Sequence, residues 1–232
     1  MDRKLHPNDI RRALSNSVLE LVDSDREQAK EKFEAREGRE FMEGTDSNRL
    51  LTPYLQFKLT GFRKVSFDNE PADKLNPPWI RLLIRHAGRI QDTLGPVGAR
   101  QFRINSVLIL EIHTAAGEGM ADADDIAYNL SAAFDSRDYD VPASYQGYVQ
   151  YLRDSGDNAM ADDVEEMFEM QTSTDAKRSL LFRTMKTANE SRYPWPTIGS
   201  LRLGAAASFE APPSGKLNSA FVEVPFHYYE TA

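Results

Sequence analysis

Glu111 and His113 stand two apart in RINSVLILEIHTA, so on a strand both side chains would lie on one face. A carboxylate and an imidazole so placed can share a divalent cation or a proton. No third ligand accompanies them. His6, His86 and His227 are scattered, and no HExxH spacing occurs. The same pair is also the ordinary polar side of a half-exposed strand, and that reading is preferred. The carboxylate clusters Asp122, Asp124, Asp125 and Asp162, Asp163, Glu165, Glu166 fall on helical segments, where water screens them; acid-base catalysis needs a carboxylate held in a cleft with a shifted pKa. Gly117-Glu118-Gly119, between a strand and a helix, suggests a phosphate cradle, but it lacks the third glycine and any Walker lysine. Three aspartates at the following helix start would repel a phosphate. No serine occupies a nucleophile elbow, and the absence of cysteine excludes disulfides, thiolate catalysis and thiolate-bound metals. The expectation is a protein without catalytic activity, cofactor or metal.

Basic residues gather in one stretch. From 81 to 103 there are five arginines against a single acid, Asp92, whereas 154 to 175 carries eight acids and no base. Only Trp79 and Phe102 bring aromatic rings to the basic stretch, so its nucleic-acid signal is weak. An acidic partner, or the acidic face of a neighbouring copy, suits it at least as well.

The elements that would position these residues follow from periodicity. Ile10, Leu14, Val18 and Leu21 predict a helix over about 8–22, with Asn8 or Asp9 as its cap. Residues 23–43 are highly charged in mixed sign and read as a solvated helix or a segment without fixed structure. Tyr54 to Leu59 alternates as a half-buried strand. Ile80, Leu82 and Ile84 face one way and Arg81, Leu83 and Arg85 the other, opening a long β-hairpin whose return strand, 104 to 113, is apolar on both faces at its centre. Such a strand belongs in the middle of a sheet, covered on each side. Met120, Ala123, Ala127, Leu130 and Phe134 form the stripe of an amphipathic helix. Two or three short helices follow between 135 and 196, with Met160, Val164, Met167 and Phe168 at helical spacing. The chain closes in strands around a PPSGK turn, and Pro225 places the last strand at an edge or an end.

The whole is an α+β chain. Net charge is −8 and mean hydropathy −0.54, with 41% hydrophobic residues, which describes a polar-surfaced domain with a core rather than a phosphate-gripping surface or a membrane span. Synthesis in a cytoplasm is expected, since the N-terminus lacks a signal-peptide pattern.

The order of these features, an N-terminal amphipathic helix, VSFDNEP before a strand, a glycine-punctuated arm, RINSVLILEIHTAAGEG leading into MADADDIAYNLSAAF, and a closing VEVPFHYYE, resembles the tail terminator (tail completion) proteins of long-tailed bacteriophages. The resemblance covers about half the chain: 8–22, 65–134 and 216–230. It implies a mostly antiparallel sheet with two helices packed on one face, a long β-hairpin arm, and assembly as a hexameric ring that caps the tail tube, stops its growth and meets the head-side stopper. Residues 1–141 and 197–232 would form the core, with 24–60 as an insertion, and 142–196 would be a helical insertion. The resemblance further implies a virion location in the tail or neck after assembly in the host cytoplasm, with the tube protein and a neck protein as partners, DNA passing through the lumen without specific binding, and no membrane partner. On the arm, Arg85, Arg89, Arg100, Phe102 and Arg103 would meet a neighbouring subunit or the tube. The alternatives are another neck or tail-tube component, or a small metal-dependent or nucleotide-binding enzyme built around Gly117, Glu118, Gly119, Glu111 and His113.

Overall fold

The computed structural model describes residues 5–42, 65–67, 79–93, 100–115, 120–189, 192–214 and 217–231. The strand expected at 54–59, the glycine turn at 117–119 and the tip of the arm, 94–99, lie outside them. The fold is α+β, with a mostly antiparallel sheet. The chain forms two compact units, one of Met1–Leu14 with Tyr139–Ser200 and one of Ser15–Asp138 with Leu201–Ala232.

The sheet is built on three long strands, β2 (Trp79–Gln91), β3 (Gln101–Ala115) and β7 (Leu217–Thr231). A short strand β1 (Val65–Phe67) runs parallel to β2, whereas β2–β3, β3–β7, β5–β7 and β6–β7 pair antiparallel. β4 (Asp138–Pro142), β5 (Thr197–Leu203) and β6 (Ala207–Ser214) complete the order β1-β2-β3-β7-β5-β4, with β6 also paired to β7. As its two apolar faces require, β3 is a middle strand, bonded to β2 along one edge and to β7 along the other.

Register decides what each face holds, because directly opposed residues share a side. Ile80, Leu82 and Ile84 align with Ile112, Leu110 and Leu108 of β3, and these with Ala220, Val222 and Val224 of β7. All nine are buried. Helix α2 (Ala121–Phe134) buries Ala123, Ile126, Ala127, Leu130 and Phe134 and packs against β7, β3 and β6. Ala127 and Ala220 line one small cavity, which sets α2 over this first face. Each large apolar side chain so buried contributes roughly 1.5–3 kcal/mol relative to exposure.

Three expectations are corrected. β7 is no edge strand, because it has partners on both sides. Pro225 is tolerated for a local reason: pairing with β6 reaches Glu223 and pairing with β5 starts at Phe226, and the Pro225 carbonyl accepts from the Gly204 amide at 2.7 Å. Carbonyl and missing N–H point the same way, so the lost donor faces the seam where one neighbour gives way to the next. The first helix, α1 (Pro7–Glu37), starts where expected, with proline in the first turn. His6 caps it, its Nδ1 accepting from the Asn8 amide at 3.2 Å, while Asp9 ion-pairs with Arg12 at 3.0 Å. It also runs 15 residues beyond the expected end at 22, so the charged stretch that follows is helical as far as Glu37.

The other unit holds α3 (Tyr145–Asp154), α4 (Asn158–Glu169) and α5 (Thr174–Asn189) around Tyr148, Leu152, Val164, Phe168 and Trp195. Ser144 and Asp157 cap α3 and α4 by accepting from the amides of Gly147 and Met160. The buried stripe of α4 is Ala161, Val164 and Phe168; Met167 faces outward, a correction of helical phase.

Candidate functional site

The antiparallel pair of β2 and β3 continues where β2 leaves the core. Residues of β2 are buried or half-buried from Trp79 to Ile84 and exposed at every position from Arg85 to Gln91, while pairing with β3 continues to Gln91 opposite Phe102. Between His86 and Gly88 the register slips by one residue, and Ala87 is the extra one. This bulge reverses the alternation. Before it, even-numbered residues of β2 lie on the first face of the sheet; beyond it, the exposed Arg89 and Gln91 do. Arg89 therefore shares a face with Phe102 and Glu230, and its guanidinium lies 3.8 Å from the Phe102 ring centroid and 3.8 Å from the Glu230 carboxylate.

The other arm residues are distributed differently. Arg103 and Ile90 point to the second face, aligned with Tyr229, and Arg103 pairs with Asp92 at 3.9 Å. Arg85 is exposed opposite Val107, also on the second face. Arg100 is half-buried just before β3, where the Gln101 amide donates to Thr93 Oγ1 at 2.8 Å. The five expected contact residues thus occupy both faces of one ribbon. Glu230 as the partner of Arg89 was not readable from sequence, because it depends on a register 141 positions away and on the bulge.

Glu111 and His113 do come together, in a polar line across three strands. Trp79, His113 and Ser219 are consecutive partners. The Trp79 and His113 rings stack at 3.9 Å between centroids, and His113 Nδ1 lies 2.9 Å from Ser219 Oγ. Glu111 is 3.8 Å from His113 Nε2 and 3.7 Å from Arg81. Burial, and then the Arg81 cation, lower the His113 pKa to about 4. A neutral imidazole bonded to a buried hydroxyl and closed on one side by an indole fastens β2, β3 and β7 together. Among the described residues, no group of three or more metal-ligating side chains occurs.

A third feature went unread in the sequence. Beside the bulge, a cavity of about 550 Å³ is lined by Asn105, Val107, Arg137, Arg202 and His227, among others. Arg202 and His227 are cross-strand partners on the second face. Burial, then the cations Arg103 and Arg202, lower the His227 pKa. No spacing could have found this group, which is gathered from β3, the turn after α2, β5 and β7.

No protein-family model matches the chain, and no curated protein sequence matches it at a significant level.

Proposed function

We propose that this chain is a structural virion protein, a tail terminator that forms a ring, hexameric by resemblance, capping the tail tube and joining it to the head-side neck proteins. The observation that carries this reading is the hairpin arm: a β2 segment exposed at seven consecutive residues that nevertheless keeps its ladder to β3. A strand pair extending past its own buried stretch keeps its backbone hydrogen bonds and offers side chains to another molecule. Ile90 and Tyr229, both nearly half exposed on the second face, give that surface apolar area as well as charge.

In this reading α1 and α2 are the two helices of one sheet face, and 142–196 is the helical insertion carried by the ring core. The arm from Ala87 to Arg103 reaches a neighbouring subunit or the tube. Rings need heterologous contacts, in which two different surfaces of one chain meet, and the charge asymmetry along this sequence supplies two such surfaces.

Charge reversal on the arm tests the assignment. Arg89→Glu with Arg100→Glu is expected to abolish ring or tube assembly, read by light scattering and tube co-sedimentation, and to leave a folded chain. The exposed Arg89 pairing lost in the variant is worth no more than about 1 kcal/mol. Normal assembly by the folded variant overturns the role given to the arm.

A further inference from the structure

The groove beside the bulge has the character of a receptor for carboxylates. Arg137 has no carboxylate partner among the described residues; its guanidinium rests 5.6 Å from the Phe134 ring centroid. Among the described residues Arg202 meets only the carboxylate of Asp138, at 3.3 Å, in a pair whose two side chains are each 70% exposed. So exposed a pair is weak, and an incoming carboxylate can take the place of Asp138 at little cost. His227 and Asn105 add hydrogen-bonding groups to the lining of the same cavity.

The backbone that presents these cations is tied down. Ser136 is the one non-glycine residue with positive φ, at 44°, among the described residues, and its amide donates to the Gly204 carbonyl at 3.1 Å. The Leu203 amide donates to the Arg137 carbonyl at 2.8 Å, and the Ala206 amide to Asp135 Oδ1 at 2.8 Å. Three hydrogen bonds thus hold the turn after α2 against the 203–206 segment, with left-handed backbone strain accepted at Ser136. A backbone already fixed beneath the two arginines loses less loop freedom on binding than a mobile one.

The chain itself carries a matching surface. On α4, Asp162 and Glu165 are held by Arg153 at 3.3 and 2.6 Å, whereas Asp163 and Glu166 are exposed and have no basic partner among the described residues. They lie one helical turn apart, about 5–6 Å, a spacing that two neighbouring guanidinium groups can meet together. We propose that the groove of Arg137, Arg202, His227 and Asn105 seats the acidic helix α4 of a second copy of this chain, so that copies join head to tail. The inference rests on the ring reading and names one of its subunit contacts.

A charge swap in trans tests it on the full chain. One variant is Arg137→Glu with Arg202→Glu; the other is Asp163→Lys with Glu166→Lys. Each alone brings like charges together and is expected to associate at least about tenfold more weakly than the wild type, by sedimentation velocity with and without tail tubes. An equimolar mixture is expected to recover association, because in an alternating ring every contact again joins opposite charges. Melting curves near that of the wild type establish that both variants fold. If each variant assembles like the wild type, the groove is not a subunit contact and the ring reading stands. If both are weakened and mixing restores nothing, α4 is not the occupant. A wild-type chain that fails to self-associate in solution and on tubes overturns the ring reading and this contact with it.

Discussion

His113 is set apart by its surroundings. Stacked under Trp79 and bonded to Ser219, it is held neutral by burial and by Arg81, with a pKa of about 4 against 6.5 for a free imidazole. Between those values the unfolded chain binds the proton more readily than the folded one, so stability falls as pH drops from about 6.5 toward 4 and levels off below. After discounting for its partial solvent access, the effect is on the order of 2 kcal/mol. His113→Gln should lose that part of the acid sensitivity in denaturant titrations run across this pH range; parallel profiles for variant and wild type contradict it. Ser136 is the second residue whose conformation has a measurable consequence. Its φ of 44° suits glycine, so Ser136→Gly should stabilise the chain by up to about 1 kcal/mol and raise the melting temperature by about 2–4 °C. A lowered melting temperature contradicts the assignment of strain there.

Individual elements were legible where one face alone is buried. The stripe of α2 was readable because Ala123, Ala127, Leu130 and Phe134 pack on one side, and strand β2 because it alternates up to Ile84. Legibility stopped where a partner decides the outcome. The bulge at Ala87, which turns Arg89 toward Phe102, is a property of pairing and leaves no mark in β2 alone. Pro225 signalled an edge, yet it sits at a seam between two neighbours of a central strand, a distinction that only topology makes. In α4 the small Ala161 takes the buried place that Met167 seemed to claim, since apolar residues lay on both sides of the helix. The cationic groove was illegible throughout, being assembled from four separate segments. The helical core yields a prediction at this scale: Phe168, buried and stacked on Tyr145 at 4.6 Å, should cost about 3–5 kcal/mol on substitution by alanine, read by chemical denaturation. A loss below about 1 kcal/mol would mean that α4 does not depend on that core.

At the scale of the whole molecule, the chain places cations on an exposed arm and around a groove, and anions on a helix, while its net charge of −8 is far from that of a phosphate-binding surface. Separated opposite charges on one chain favour contacts between different surfaces of successive copies, and these close into rings when the rotation permits. A long hairpin exposed beyond its own core fits the same purpose. The central claim is therefore about assembly, and the most direct measurement is the mass of the full chain by light scattering, alone and in the presence of tail tubes. The account predicts a closed species of about 157 kDa, six times the 26.2 kDa chain, formed in solution or on the tube end. A species that remains at the mass of one chain under both conditions, and does not sediment with tubes, would contradict it.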